Sequence, residues 1–392
     1  MMVGIVGAPN KGKSTIFSAL TMNEVAIADY PFTTIDPNLG VAYATKPCVH
    51  TEFGVKCKAR NSMCVNGTRL LPINVVDVAG LVEGAHEGRG MGNKFLNDLA
   101  AADALIIVSD ASGQTDPSGN KGGVSDPVQE IEMVKSEIIK WIASAVSKHS
   151  GPISRRDDGA HALLEVLAGM KVSREDIERA ASEANLLLNR PNWSEDSIRR
   201  FSSHLFEISK PFIVAANKSD VKGPRTNNNI AALTERYGAK RVLPCSGAIE
   251  LALRKAAKQG IIDYQPGSHS FKALRNDISR ERQDALEYMG KFLSEHGTNV
   301  QELINDVVFS LLDNIVVYPV EDESKYSDHF GNVLPDAILM RRGSTALQLA
   351  EKIHTDIAKG MLYAVDARTK KRLAKDYVLQ DNDVLKIVST AK

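Results

Sequence analysis

Short apolar runs punctuate the first 250 residues of the chain, and glycine, asparagine or aspartate bounds several of them. Segments with apolar residues at helical spacing lie between the runs. Uniformly apolar runs of this length are typical of strands buried on both faces of a parallel sheet. The runs are Val3–Val6, Ile73–Val76, Ala104–Val108, Phe212–Ala216 and Arg241–Leu243. Strand and helix in alternation predict the α/β class, with helices covering a parallel sheet.

One helix is predicted in detail from its start and its apolar stripe. Asp126 is a good N-cap, and Pro127 suits the first helical position because its φ is already helical. The apolar residues that follow recur every three or four positions and form one face. They are Val128, Ile131, Val134, Ile138, Trp141, Ile142 and Val146.

Changes in this rhythm predict three regions. Residues 1–270 form the α/β domain, interrupted by a charged helical insertion at about 115–205. Residues 271–313 are predicted to be a mostly helical connector. Residues 314–392 predict a small mixed α+β module. Its expected elements are a strand at Ile315–Tyr318, a helix at Thr345–Thr355, a hairpin and a strand at Val384–Val388.

The segment from Gly7 to Ser14 fits the phosphate-binding pattern G-x-x-x-x-G-K-[ST] without a mismatch. It follows a strand and opens a helix, which is the context that the motif requires. The glycines let backbone N–H groups point at phosphates, and the helix N-terminus adds positive potential. Lys13 is expected to reach the β- and γ-phosphates, and Ser14 to ligate Mg²⁺. The other expected contacts of the loop come from Asn10, Lys11, Gly12 and Thr15.

A second motif, Asp77-Val78-Ala79-Gly80, follows the next strand. An aspartate at the end of that strand is suited to hold Mg²⁺ through water. The Gly80 N–H is suited to meet the γ-phosphate. The motif is weak alone, but its place one strand after a phosphate loop favours a triphosphate site.

A third motif, Asn217-Lys218-Ser219-Asp220, ends the strand at Phe212–Ala216. The Asp220 carboxylate is able to accept hydrogen bonds from N1–H and the 2-amino group of guanine. Adenine lacks both donors, so Asp220 would stay unpaired against it. Lys218 is expected to pack along the base and Asn217 to brace the loops. The loop after the next strand is expected to offer backbone N–H groups to the guanine oxygen, from Ser246, Gly247 and Ala248.

Together these motifs resemble the GTP-binding domain of the Obg/YchF group of translation-factor-type GTPases. Residues Tyr30–Asn38 are similar to the group's first switch, and residues 77–96 are similar to its second. The C-terminal module resembles a TGS domain, which has a β-grasp fold. The resemblance implies a Ras-like P-loop domain acting as a Mg²⁺-dependent GTPase switch. It also implies that Thr34 contacts Mg²⁺ and the γ-phosphate, and that Lys13, Thr34 and Gly80 carry catalysis.

Two departures qualify the resemblance. YchF proteins proper resemble ATPases because their base-reading motif lacks the final aspartate, whereas Asp220 is present here. Leu81 stands where Ras-like GTPases carry the glutamine that orients water, so we expect slow hydrolysis. A YchF-like ATPase and a nucleotide-gated binding module with negligible hydrolysis remain alternatives.

Two further expectations rest on single residues. Asn10 resembles the asparagine that holds a potassium ion in cation-activated relatives, which implies that K⁺ stimulates hydrolysis. Arg89 is either an internal arginine finger or an ordinary solvated charge of the second switch.

Four potential metal ligands lie between the two switch motifs, with the spacing C-x-H-x₆-C-x₆-C. Three cysteines and one histidine are enough for a tetrahedral zinc site, but the usual C-x₂-C pair is missing. Scattered thiols on a β-hairpin are the alternative interpretation. The residues are Cys48, His50, Cys57 and Cys64.

A cluster of basic residues lies in the C-terminal module, with five cations in eight residues. Such a cluster is able to hold RNA phosphates, but it is equally typical of a solvated face. Because TGS domains accompany tRNA- and ribosome-linked proteins, the resemblance favours RNA or the ribosome as partner, through this module and the helical regions. The cluster consists of Arg368, Lys370, Lys371, Arg372 and Lys375.

Composition narrows the setting further. Lys+Arg and Asp+Glu are both 48, so any nucleic-acid binding must come from a local patch. Four cysteines in 392 residues are no disulfide framework, which favours a reducing compartment, and we expect a cytoplasmic protein. No apolar run reaches the length of a membrane span, so no membrane association is expected. The pattern leaves the oligomeric state open.

Overall fold

The computed structural model divides the chain into two compact units. The first includes the N-terminal residues and Asn74–Leu303, and the second includes Tyr43–Ile73 and Ile304–Lys392. The expected α/β class with a separate C-terminal α+β module is confirmed. The residues that the structure describes are 1–22, 38–78, 80, 84, 99–116, 120, 122–153, 158–188, 193–275 and 277–390, without the side chains of 150–153.

A parallel sheet forms the centre of the first unit. β1 pairs with β4 on one side and with β5 on the other, and the order continues through β6 to β7. Every residue of β5 and β6 is buried, which explains their continuous apolar sequence. The parallel strands of this sheet are β1 (Met2–Val6), β4 (Thr68–Asp77), β5 (Ala104–Asp110), β6 (Phe212–Asn217) and β7 (Val242–Pro244). β2 (Leu39–Pro47) is next to β4, and β3 (Met63–Val65) pairs antiparallel with the first residues of β4, in a part of the chain that belongs to the second unit.

Helices of the first unit begin at residues that satisfy their free N–H groups. Ser173 forms a capping box with Asp176, and Ser194 and Ser279 accept hydrogen bonds from the first turns that follow them. No helix in the described part of the chain is long and apolar enough to cross a membrane. The helices are Lys13–Thr21, Pro127–Ile153, Gly159–Val166, Arg174–Glu183, Glu195–Ser209, Pro224–Tyr237, Gly247–Lys258, Arg280–His296 and Val300–Asn305.

The helical region expected at about 115–205 shares one hydrophobic core with the sheet. Ile131, Leu163 and Phe201 from three of its helices belong to the same buried cluster as Val6 and Ile107 of the strands. The stripe expected on the helix Pro127–Ile153 faces this core, with Val128 and Trp141 at its margins. The helices therefore act as a cover of the sheet rather than as a separately packed body.

The second unit has a mixed five-stranded sheet in the order β11-β10-β14-β12-β13. β10 and β14 are parallel, and the other neighbours are antiparallel. The helix Ala346–Ile353 begins with a capping box between Thr345 and Gln348 and packs on this sheet. The remaining elements are a π-helical turn at Asp306–Leu311, the helix Thr355–Gly360, and the strands β10 (Asn314–Val320), β11 (Ile338–Arg341), β12 (Met361–Asp366), β13 (Arg372–Leu373) and β14 (Val384–Ser389).

The insertion formed by residues 43–73 belongs to this second unit. The N–H groups of Lys58 and Arg60 donate to the carbonyls of Val333 and Pro335, at 2.8 and 2.7 Å. Phe53 stacks on Tyr326 with ring centroids 4.2 Å apart. The unit is therefore built from two stretches of chain that are far apart in sequence.

Most differences from the sequence expectations concern the ends of elements. β4 extends beyond the predicted run because Thr68–Leu70 pair with β3, and β5 because Ser109 and Asp110 still pair with β6. Arg241 lies outside β7, although its carbonyl accepts from Val214 N–H at 2.7 Å. The boundary expected at residue 271 falls next to a small hairpin of β8 (Ile262–Asp263) and β9 (Lys272–Ala273).

A buried ion pair attaches the phosphate loop to the rest of the first unit. Lys11 is fully buried and its Nζ lies 2.5 Å from Oε1 of Glu130. The same Nζ donates to Thr115 Oγ1 at 2.8 Å and to the Asp116 carbonyl at 3.0 Å. Ser125 Oγ donates to the same carboxylate oxygen of Glu130. Because a buried charge is costly unless it is paired, this network fixes the loop at Lys11.

Substituting Glu130→Gln should destabilise the first unit by about 3 kcal/mol, because Lys11 would stay buried without its counter-charge. The two tryptophans of the chain, Trp141 and Trp193, both belong to this unit, so fluorescence-detected urea unfolding reports on it. Glu132→Gln on the same helix is the control. It removes a half-exposed partner of Arg236 and should cost below ~1 kcal/mol. Equal losses in the two variants would contradict this account.

Candidate nucleotide-binding site

The loop from Gly7 to Gly12 connects β1 to the helix Lys13–Thr21 and has the backbone of a phosphate cradle. A Cβ on Gly7 would lie 2.4 Å from the Val108 carbonyl oxygen. Gly12 has φ +96, and a Cβ there would lie 2.2 Å from Asn217 Nδ2. Gly12 offers no side chain to cap the helix. The N–H groups of the first turn are therefore left for an anion.

Lys13, Ser14, Asp77 and Gly80 come together beside this loop. Lys13 Nζ donates to the Ala8 carbonyl at 2.9 Å. A Cβ built on Gly80 would lie 3.3 Å from the same Nζ, which places the glycine against the lysine. The exposed Ser14 side chain hydrogen-bonds Asp77 at the end of β4.

Asp77 and Ser14 suit a hard divalent cation. Asp77 Oδ1 is buried and has no hydrogen-bond partner among the described residues. Burial raises the pKa of Asp77, while the Ser14 hydrogen bond and the Lys13 charge oppose that rise. An unpartnered carboxylate oxygen next to a hydroxyl is the kind of oxygen pair that Mg²⁺ takes, with waters and phosphate oxygens completing its shell.

Burial lowers the pKa of Lys13 to about 8, although the Asp77 carboxylate acts in the opposite direction. The charge of neighbouring Lys11 adds to the lowering. A phosphate beside Lys13 would stabilise the ammonium form. The two lysines therefore differ in role. Lys11 is neutralised by Glu130, whereas Lys13 forms no ion pair with any of the described residues.

The expected base-reading residues lie at the ends of β6 and β7, and Asn217 joins them to the phosphate loop. Its Nδ2 donates to the Lys11 carbonyl at 2.9 Å, and its Oδ1 accepts from the Gly247 N–H at 3.0 Å. Ser219 N–H donates to the Cys245 carbonyl at 3.1 Å. One side-chain amide therefore sets the spacing of the phosphate loop and the base loops.

Lys218 is fixed by an ion pair that the sequence pattern did not reveal. Its backbone is left-handed, with φ 64, and its Nζ lies 2.7 Å from Asp110 Oδ2 at the end of β5. Burial alone would raise the pKa of Asp110, but hydrogen bonds from Lys218, Ser112 and Thr115 outweigh it, and the pKa is lowered. Asp110 thus stays ionised and restrains the Lys218 stem.

Asp220 presents a buried carboxylate oxygen, Oδ1, that has no partner among the described residues. The opposite loop contributes the exposed Ala248 and the buried Ser246, whose Oγ accepts from Ile249 N–H at 3.2 Å and caps the helix Gly247–Lys258. A buried acceptor without a donor is costly, so this site favours a ligand that supplies N–H groups.

A buried polar cluster behind the base loops escaped the sequence analysis. Glu250 accepts from Thr298 Oγ1 at 2.6 Å, from Tyr264 OH at 2.7 Å and from Arg254 Nε at 2.6 Å. The Thr298 carbonyl in turn accepts from Ser246 N–H at 3.0 Å. The cluster supports the loop from behind. A glutamate and an arginine four residues apart on a helix were its only sequence signal, and that spacing is common on exposed helices.

For some of the expected site residues the structure shows a position but no ligand-directed geometry, and others are not described. Thr15 lies half-buried in the first turn of its helix, and Asn10 has a left-handed φ of 59. Thr34, Leu81 and Arg89 lie outside the described residues, as do most of the two switch motifs.

The basic cluster of the C-terminal module is partly engaged in internal contacts. Arg368 pairs with both carboxylate oxygens of Glu52, at 2.7 and 2.8 Å, and lies over the Phe53 ring. Lys370 donates to the Glu323 carbonyl. Lys371 and Lys375 are exposed. The five cations therefore do not act as one uniformly available surface.

Family comparisons agree with this division of the chain. Residues 2–148 match the family described as 50S ribosome-binding GTPase. Residues 215–322 match the G4 motif-containing domain of YGR210-like Obg-like GTPases, and residues 330–389 match the TGS domain.

Full-length relatives cover the same span. A GTP-binding protein of Methanocaldococcus jannaschii is 47% identical over 398 residues, which is 100% of both chains. Obg-like ATPase 1 of Gallus gallus is 28% identical over 421 residues, covering 98% of this chain and 91% of that protein. The crystal structure of a GTP-binding protein from Pyrococcus horikoshii aligns over 100% of both chains, with a TM-score of 0.81 and 39% identity.

Nucleotide affinity should fall as the pH rises above about 8, because free Lys13 then loses the charge that a bound phosphate requires. The dissociation constant of a fluorescent nucleoside diphosphate should rise about fivefold between pH 8 and 9. Lys13→Arg keeps its charge throughout this range and serves as the control, since it also corrects for titration of the ligand. The same pH profile in both proteins would refute the assignment to Lys13.

Proposed function

Because the chain belongs to the Obg-like family of P-loop GTP-binding proteins, we propose that it binds GTP with Mg²⁺ and hydrolyses it slowly to GDP and phosphate. The observation that carries the choice of nucleotide is the buried, unpartnered Oδ1 of Asp220, next to the loop that Asn217 holds in place. In this proposal the protein is a switch, and its two switch segments order around the γ-phosphate.

Guanine fits this base site better than adenine. Its N1–H and 2-amino groups would satisfy the Asp220 carboxylate, whereas adenine would leave a buried charge without a partner. The sequence expectation that Ser246, Gly247 and Ala248 all offer N–H groups to the guanine oxygen needs correction, because Ser246 N–H donates to the Thr298 carbonyl and Gly247 N–H to Asn217 Oδ1. We therefore propose that the Ala248 N–H faces the guanine oxygen. The relative from M. jannaschii is named a GTP-binding protein and that from G. gallus an ATPase, and Asp220 is our reason for choosing the first.

The phosphate end of the site suggests how catalysis proceeds. Lys13 and the N–H groups of the phosphate loop would neutralise charge that develops on the transferred phosphoryl group. Ser14 and Asp77, with Thr34 in the GTP state, would hold Mg²⁺, which supplies charge neutralisation between the phosphates. Gly80 would bring its N–H to the γ-phosphate. Leu81 offers no group that orients water, so we propose a low intrinsic rate, with K⁺ held near Asn10 as a stimulator.

For the organisation of the chain, we propose that residues 1–270 form the nucleotide-binding part, 271–313 the connector and 314–392 the TGS domain. A ribosome or its RNA is the proposed partner of the TGS domain and the helical regions. The matched family description names 50S ribosome binding, and Lys371 and Lys375 offer exposed cations.

Substituting Asp220→Asn should lower the affinity for GDP roughly 100-fold, because an amide would set a donor against the 2-amino donor of guanine. The same variant should bind the xanthine nucleotide, whose 2-oxo group accepts that donor. Competition against a fluorescent guanine nucleotide measures both effects, with Asp263→Asn at the exposed position of β8 as the control. If ADP competes with the wild type as well as GDP does, the ATPase alternative replaces this proposal.

The switch itself is tested by co-sedimentation with ribosomes. We expect the protein to pellet with a non-hydrolysable GTP analogue and not with GDP, since only the triphosphate orders the switches. Phosphate release should be faster with ribosomes than without them, and faster in K⁺ than in Na⁺ buffer.

Each part of the switch proposal can be refuted by a separate result. Lys13→Ala should abolish the dependence of pelleting on the analogue. Equal rates in K⁺ and Na⁺ would exclude the role proposed for Asn10. Phosphate release that stays undetectable with ribosomes and K⁺ would leave a binding protein whose nucleotide is a structural ligand.

A further inference from the structure

The insertion carries a cluster of three thiols and one imidazole, called here the cysteine cluster. Its ligand atoms all lie within 4.8 Å of one another. All of the cysteines in the chain are free thiols. The members of the cluster are Cys48, His50, Cys57 and Cys64.

The spacing within the cluster is that of a tetrahedral metal site. Cys64 Sγ lies 3.5 Å from His50 Nδ1. Zinc–sulfur and zinc–nitrogen bonds of ordinary length, at a tetrahedral angle, place S and N about 3.6 Å apart. Two sulfurs on the same ion are about 3.8 Å apart, so small side-chain movements close the remaining separations.

Four different pieces of local structure bring the ligands together. Cys48 follows β2, and its N–H donates to the Gly67 carbonyl in the turn between β3 and β4, at 2.8 Å. His50 lies in the short 3₁₀ turn Val49–Thr51. Cys64 lies in β3, opposite Arg69 of β4. Cys57 precedes Lys58, whose N–H donates to the Val333 carbonyl.

A buried cation accompanies the cluster. Arg69 is fully buried and donates through Nε to Ser62 Oγ at 2.7 Å and through Nη2 to the Leu334 and Pro335 carbonyls. Its Nη1 is buried without a hydrogen-bond partner among the described residues. None of the described carboxylates forms an ion pair with it. Such a charge calls for a nearby anion.

Arg69 and its neighbour Tyr318 lie within electrostatic reach of the cluster. The Arg69 guanidinium lies 5.6 Å from the centre of the Tyr318 ring, and the Tyr318 hydroxyl is also buried without a partner in the described part of the chain. The Arg69 guanidinium is also close enough to the Cys57 sulfur for its positive charge to act on that group.

We propose that the cysteine cluster binds one structural Zn²⁺ ion, through three thiolates and the Nδ1 atom of His50. Zinc with three thiolates and a neutral imidazole carries one net negative charge. The Arg69 guanidinium balances that charge, which explains a buried cation without a carboxylate. Three cysteines with one histidine form a closed zinc-binding set that leaves no position open for chemistry.

The metal would cross-link the separate segments of the insertion. Its ligands come from the end of β2, the 3₁₀ turn, the segment before Lys58 and β3. In the second unit that segment pairs with Val333 and Pro335, and Arg69 binds carbonyls of the same stretch. Without the ion, the loops would be held by hydrogen bonds, by the stacking of Phe53 on Tyr326 and by ion pairs such as Arg368–Glu52.

Metal analysis of the full-length protein, purified under reducing conditions, is the first test. We expect one zinc per chain by elemental analysis, released by a thiol-modifying reagent in step with modification of three cysteines. Replacement by Co²⁺ should give the intense ligand-field absorption of a tetrahedral ion together with thiolate-to-cobalt charge transfer. A protein that stays free of zinc after reconstitution with Zn²⁺ and a reductant would overturn the proposal.

Variants separate the ligands from the fold. Cys57→Ser and His50→Ala should each lower the zinc content below half, whereas His50→Cys should retain a full equivalent and strengthen the charge-transfer band. Cys245→Ala and His161→Ala remove residues outside the cluster and should keep one zinc per chain. The cobalt spectrum of the wild type tests the metal site without any substitution, so the proposal can still be judged if a variant fails to fold. Full zinc content in Cys57→Ser would overturn the ligand assignment.

The cross-linking role has a separate readout. Removing zinc should increase amide hydrogen exchange within residues 43–69 severalfold, and readdition should restore protection. Exchange in Phe212–Asn217, in the core of the first unit, serves as the internal reference. Exchange in the insertion that is indifferent to the metal would overturn the structural role.

Discussion

One buried amide, that of Asn217, sets the geometry on which the nucleotide site depends. It donates to the backbone of the phosphate loop and accepts from the backbone of the base loop, so two loops from different strand ends share one reference point. Gly12 leaves the room that this amide needs, since any Cβ there would collide with it. The β6 strand that carries Asn217 is buried along its whole length, which keeps the amide from moving with the surface.

Near Asn217, neighbouring charged residues differ in whether they are paired within the protein. Lys11 and Lys13 are two residues apart, yet Lys11 is neutralised by Glu130 while Lys13 keeps a lowered pKa beside the phosphate cradle. Asp110 and Asp220 differ in the same way. Asp110 is paired with Lys218, whereas Asp220 keeps one oxygen that has no partner in the part of the chain that the structure describes. Within this site, Asp77 Oδ1 and Asp220 Oδ1 have no partner among the described residues, and both belong to residues proposed to contact the ligand, as expected when a site is organised before binding.

The fold was predictable from the sequence, and the motifs proposed to bind nucleotide could be recognised there, because both rest on local signals. Uniformly apolar runs marked β5 and β6, and the Asp126-Pro127 pair marked a helix start. The Lys218–Asp110 pair and the cluster at Glu250 were not predictable, because they join residues that only the fold brings together. For the same reason the pattern could not decide whether Cys48 and Cys57 meet, or that Arg368 is paired with Glu52.

The discontinuous second unit has a consequence for synthesis of the chain. Arg69 binds the carbonyl of Leu334, a sequence separation of 265 residues, which takes on the order of 10–50 s to translate. During that interval the insertion has emerged without the surface that later covers it. The four cluster ligands, by contrast, span only residues 48–64, so a metal ion would find all of them in the nascent segment at once. With the metal bound, the insertion would already be folded when the C-terminal residues of the second unit are synthesised. Without the metal, the same segment would remain an unfolded chain with three exposed thiols.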